Sequence, residues 1–126
     1  MTQEQRKELL RSQQGELNAV LMYQRLAKIV KTERERNAFL QLAKEEGRHA
    51  RVFHDYTKEP LKAKKTMAHI MPILYFLLGR KRLYKIIAKG EYDAAKGYEH
   101  LIADFPEVES VKNDEHRHGD IVFGLI

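Results

Sequence analysis

The chain of 126 residues contains no cysteine. Disulfides, zinc ribbons, thiolate-bound iron–sulfur centres and thiol nucleophiles are thereby excluded. Three prolines and seven glycines are too few for a loop-rich or disordered chain. No stretch alternates as a half-buried strand would, so a β fold is not expected. The apolar run Ile70–Leu78 is far short of the about 20 residues that span a bilayer. The N-terminal MTQEQRKELLRSQQGE has no apolar core of the kind a secretory signal needs, so a cytoplasmic protein is expected. Basic residues occur in runs, but without the interleaved aromatics that stack bases, and nucleic acid is not an expected partner.

What is present suits one domain over residues 1–126, with 43% hydrophobic residues to supply a core. The net charge is +5, and the excess sits in Lys58, Lys62, Lys64 and Lys65, then in Arg80, Lys81, Arg82, Lys85 and Lys89. Such a balance suits an anionic partner, a membrane surface included.

Apolar residues recur at three- and four-residue spacing nearly throughout. The spacing predicts helices over about Gln3–Val30, Asn37–Tyr56 and Lys81–Asp104, and a last one opened by Pro106 and running to the end. The charged KTERER breaks the first pair, and Glu59-Pro60 ends the second helix. The long connection, residues 58–80, carries the apolar run with Pro72 in its first turn and Gly79 just past its end, a short crossover helix. The expected fold is all-α: a four-helix bundle of two hairpins joined by a long crossover, which is ferritin-like topology. The crossover run reads as a lid on the bundle, as a homodimer contact, or as a segment lying on a membrane surface.

The two halves repeat. QGELNAVLMY answers KGEYDAAKGY, and EEGRHARVF answers DEHRHGDIVF. Each half carries a lone glutamate, a tyrosine seven residues on, and a Glu-x-x-His: Glu16, Tyr23, Glu46 and His49, then Glu91, Tyr98, Glu115 and His118. Each glutamate lies among apolar residues of one helix face. Glu16 shares a stripe with Leu9, Val20 and Ala27, and Glu46 with Phe39, Leu42, Ala43 and Phe53. Glu91 shares one with Ile87, Ala94 and Ala95, and Glu115 with Val108, Val111 and Val122.

Burying one unpaired carboxylate is so costly that it takes up a proton first, and clustering four is worse. No matching set of lysines or arginines lies on these stripes. Two divalent cations would balance four carboxylates and use both histidines as neutral ligands. Mixed oxygen and imidazole ligation suits iron or manganese. The candidate metal ligands are therefore Glu16, Glu46, His49, Glu91, Glu115 and His118. Tyr23 and Tyr98 are either core aromatics or hydrogen-bond donors to the ligand carboxylates. His54, His69, His100 and His116 read as surface or rim residues, and Glu45 and Asp114 as solvated acids facing away from the core.

These residues resemble the rubrerythrin branch of the ferritin-like superfamily over essentially the whole chain. The resemblance rests on Glu16, Glu46-Gly47-Arg48-His49, Glu91 and Glu115-His116-Arg117-His118. It implies a non-haem diiron site that reacts with dioxygen or hydrogen peroxide, with Glu46 and Glu115 bridging and the other four ligands completing the two ends. Two departures stand out. Rubrerythrins proper carry a further glutamate three residues after the third-helix ligand, where this chain has Ala94. They also carry a cysteine-ligated rubredoxin module, which this chain lacks, so electrons would come from an external donor or from ferrous iron itself.

Two functions from different classes follow. One is a diiron-carboxylate oxidoreductase, of ferroxidase or peroxidase type. The other is a non-catalytic iron-binding, delivery or sensing domain of a membrane iron transporter. The end in a mid-apolar helix, Ile121–Ile126, fits either a short protein or a domain of such a fusion.

Overall fold

The computed structural model describes all residues, Met1–Ile126. Five α-helices follow one another: α1 Gln3–Ile29, α2 Glu33–Thr57, α3 Thr66–Leu78, α4 Arg80–Tyr98 and α5 Val108–Gly124. There is no strand. The chain divides into two compact units, Met1–Pro72 and Ile73–Ile126, with the boundary inside α3.

The first unit is the α1–α2 hairpin. Thr2 caps α1 in a capping box: its hydroxyl accepts from the Gln5 amide at 3.0 Å, and the Gln5 carbonyl oxygen accepts from the Thr2 amide at 2.8 Å. Thr32 caps α2, its hydroxyl accepting from the Glu35 amide at 3.1 Å. With that cap in place, Glu33 and Glu35 sit in the first turn, where acids favour the helix dipole. The helix therefore begins at Glu33, one turn before the expected Asn37. Leu9, Tyr23, Leu26, Phe39, Leu42 and Phe53 are fully buried, and the Tyr23 and Phe39 rings stack at 5.8 Å.

α2 ends on Lys58, the one non-glycine residue with positive φ, 59°. From there the chain returns along α1 as a strap. Arg6 donates to the Thr57 carbonyl at 2.9 Å and pairs with Glu59 at 3.0 Å. Gln13 donates to the Glu59 carbonyl at 2.8 Å, Gln14 to the Lys62 carbonyl at 2.8 Å, and the Lys64 amide to Asn18 at 2.7 Å. This ladder satisfies the backbone of a segment that forms no helix.

α3 starts at Thr66, one turn before the expected Ile70, which leaves Pro72 inside the helix rather than in its first turn. Only Met71 of α3 is buried. Gly79, at φ 78°, is the single residue between α3 and α4. A side chain there would be strained, which is why glycine stands at this junction.

In the second unit α4 pairs with α5. α4 ends at Tyr98, earlier than the expected Asp104, and tightens into a 3₁₀ turn over Glu99–Leu101. Pro106 lies in the turn before α5, which opens at Val108. Leu83, Tyr84, Val108, Val111 and Val122 are fully buried. Arg80 ties the hairpin shut by donating to the carbonyls of Leu125 at 2.8 Å and Ile126 at 3.3 Å.

Candidate metal centre

In the first unit α1 presents Glu16, and α2 presents Glu46 and His49 three residues apart on one face. His49 Nδ1 lies 3.0 Å from Glu46 Oε1 and 3.6 Å from Glu16 Oε2. In the second unit α4 presents Glu91, and α5 presents Glu115 and His118. His118 Nδ1 lies 3.5 Å from Glu115 Oε1 and 3.7 Å from Glu91 Oε2. Each triad offers two carboxylate oxygens and one imidazole nitrogen, all within 4.8 Å of one another. The two halves of the repeat thus build the same arrangement, each on its own hairpin.

All six residues are buried, with exposures between 0% for His118 and 6% for Glu91. The buried polar side chains of the chain comprise six glutamates, both of these histidines, Gln13 and Thr57, and no lysine or arginine. Two of the glutamates have evident roles outside the triads. Glu35 closes the α2 cap, accepting from the Thr32 hydroxyl at 2.7 Å. Glu45 accepts from Gln41 at 2.9 Å and lies 3.7 Å from Arg48. The remaining four are the triad carboxylates. So many acids inside a protein, without a buried cationic side chain, are a donor set in need of positive charge. Hard oxygen ligands with imidazole nitrogen fit a divalent first-row metal.

Two expectations need correction or refinement. Glu45 is not a solvated acid; it is buried at the edge of the α2 stripe, three residues after Leu42 and four before His49. Asp114 is half-buried and pairs with Arg117 at 3.2 Å. The two tyrosines differ: Tyr23 is fully buried against Phe39, whereas Tyr98 is only half-buried at the end of α4. His69, His100 and His116 are exposed and His54 is half-buried, outside the triads.

Gln13 went unnoticed in the sequence. It is buried one turn before Glu16, and its carbonyl oxygen accepts from the Thr57 hydroxyl at 2.5 Å while its amide holds the Glu59 carbonyl. It locks the end of α2 to α1 beside the first triad. Its position on the stripe of Leu9 and Glu16, at helical spacing, was the available signal.

Gly119 went unnoticed too. A Cβ there would lie 2.5 Å from the Tyr92 ring. Tyr92 follows Glu91 and Gly119 follows His118, so this close approach of α4 and α5 sits beside the second triad. The equivalent pair in the first half is Leu17 and Ala50, which line one cavity. In both halves the larger side chain stands on the first helix and the smaller on the second, and the second half pairs the larger tyrosine with the smaller glycine. Tyr92 also donates to Asp120 and packs on the His116 ring at 5.1 Å. The hydrogen bond to Asp120 is the main cause that pushes the Tyr92 hydroxyl above the usual tyrosine range, with desolvation and the carboxylate charge adding to it.

No curated protein and no solved structure matches the chain. The sequence profile of rubrerythrin matches residues 7–125, nearly the whole length. The chain therefore belongs to the rubrerythrin family of ferritin-like, all-helical diiron domains.

Proposed function

We propose that the two triads together hold two iron ions and that the protein is a diiron-carboxylate oxidoreductase. The observation that carries this reading is the duplicate Glu, Glu, His arrangement, buried in both hairpins of a rubrerythrin-family chain. Glu16, Glu46, His49, Glu91, Glu115 and His118 would hold the metal, four carboxylates and two imidazoles in all. Manganese suits the same donors. Bound iron would supply two-electron reduction of dioxygen or hydrogen peroxide.

The protein's own part is to collect and orient the donors. In each Glu-x-x-His the two ligands come from one helix turn, so their separation is set by helix geometry. The short His49–Glu46 contact fixes that imidazole with Nδ1 toward the carboxylates. Burial excludes bulk water and strengthens every charge interaction at the donors. Tyr23, fully buried, has the surroundings for a hydrogen-bonding role toward a ligand carboxylate; half-exposed Tyr98 has them less.

Ala94 stands where rubrerythrins proper carry a fifth carboxylate, and without cysteine the chain has no thiolate electron relay. Both features favour iron oxidation over sustained peroxide reduction. They equally support the second reading, an iron-binding or delivery domain for which metal exchange is the function. The test is to mix the anaerobic ferrous protein with dioxygen and, separately, with hydrogen peroxide plus an external reductant. Turnover well beyond one equivalent of oxidant per site supports an enzyme. A single stoichiometric oxidation, with none of the iron released or replaced, overturns it. Ala94→Glu distinguishes the activities: a marked gain in peroxide turnover identifies Ala94 as limiting, and a parent that already turns over peroxide as fast as the variant favours a peroxidase as the protein stands.

A further inference from the structure

The positive charge of this protein is segregated. Eight of its 23 lysines and arginines, and none of its 18 acids, lie between Pro60 and Gly90. The rest of the chain carries fifteen cations against eighteen anions, so on its own it is acidic. The basic segment contains α3 and most of α4.

The same segment holds the most exposed apolar side chains. Phe76 is 87% exposed, Leu77 69% and Ile73 58%, all on the C-terminal half of α3. On α4, Leu83, Tyr84, Ile87 and Ala88 are buried, and the opposite face shows Lys81, Arg82, Lys85 and Lys89 with Ile86, itself 56% exposed. Within the second unit α3 does not pair with α4 or α5. An aromatic and several aliphatic side chains therefore stand in water on α3, and the cations Lys81, Arg82 and Lys85 follow directly on the exposed face of α4, with Lys89 further on paired to Asp93 at 2.7 Å.

We propose that this face docks on the surface of an anionic lipid bilayer. The apolar side chains would enter the boundary between headgroups and acyl chains, and the lysines and arginines would meet the lipid phosphates. α3 cannot cross the bilayer: its 13 residues reach about 20 Å against a hydrocarbon core of about 30 Å, and no helix of the protein is long and apolar enough to do so. The charge pattern selects this occupant over two others. A second copy would bring the same excess of cations to the shared face, and like charges repel there. Nucleic acid would take the cations but leave Ile73, Leu77 and Ile86 without apolar contacts. This inference does not rest on the metal reading and applies equally to the metal-free protein.

The experiment is vesicle flotation of the whole chain, with phosphatidylcholine alone and with a quarter of it replaced by phosphatidylglycerol. Binding to the anionic vesicles, none to the neutral ones, and loss when salt rises from about 0.05 M to about 0.5 M are expected. Replacing Lys81, Arg82 and Lys85 together by glutamine should weaken partition by about a hundredfold, at roughly fivefold per charge. Phe76→Ser with Leu77→Ser should also abolish flotation, and both variants should melt as the parent does because the altered side chains are exposed. No binding to anionic vesicles overturns the proposal, as does equal binding to neutral ones. So does vesicle indifference combined with self-association that Phe76→Ser removes, which identifies a dimer face. Binding to a DNA duplex with vesicles ignored overturns it as well.

Discussion

Gly119→Ala is the substitution whose effect the structure fixes most closely. The new Cβ would lie 2.5, 2.7 and 2.8 Å from Cε1, Cδ1 and Cζ of Tyr92, closer than carbon atoms approach. Moving the ring away disturbs its hydroxyl bond to Asp120 and its contact with the His116 ring. Overpacking of this kind costs about 1–3 kcal/mol. Alanine gains about 1 kcal/mol over glycine inside a helix, which offsets part of it. The net expectation is a loss of about 1 kcal/mol, or about 3–5 °C in melting temperature. The sign should reverse when the ring is absent. With Tyr92→Leu in place, which reproduces the Leu17–Ala50 pair of the first half, Gly119→Ala should stabilise by up to about 1 kcal/mol. Urea unfolding of the four metal-free proteins gives the coupling, expected near 2 kcal/mol. A coupling below about 0.5 kcal/mol, or a Gly119→Ala variant as stable as the parent, would refute the packing argument.

Thr32→Ala removes the α2 cap and should cost about 1 kcal/mol by chemical denaturation, with Thr32→Gly milder. Phe39→Ala removes the fully buried partner of Tyr23 and should cost about 3–5 kcal/mol. Tyr92 should ionise at higher pH than an ordinary tyrosine in an ultraviolet titration, and Asp120→Asn should bring it back toward the ordinary value. Because the neutral hydroxyl is the form the fold favours, its stabilising contribution is present below the ordinary tyrosine range and is lost as pH rises through the folded value. Ferrous or manganous ion added without oxygen should raise the melting temperature, since a ligand held only by the native state stabilises it; equal melting with and without metal would count against buried metal ligands.

The triads were legible because their chemistry contradicts their surroundings. Glutamate at helical spacing among Leu9, Phe39, Ile87 or Val111 is a conflict that solvent exposure cannot resolve, and the structure buries all four. The α2 start was legible in principle. Thr32 and Glu35 form the Thr-x-x-Glu pattern of a capped helix, but the charged run around them resembles a break. Glu45 was misread because a helix face has no sharp edge: a residue beside the stripe can be covered by its neighbours. The strap after Lys58 was not legible. Its path is held by Gln13, Gln14 and Asn18 through contacts 46 to 48 residues away, which no local pattern encodes.

The central claim is that six buried residues on two hairpins hold two metal ions. Anaerobic loading with ferrous ion, removal of excess and elemental analysis test it most directly, with Glu46→Ala/Glu115→Ala as the control. Two irons per chain in the parent, and loss of them in the double variant, are the predicted result. A parent that retains no metal, or a double variant that loads like the parent while remaining folded, would contradict the account.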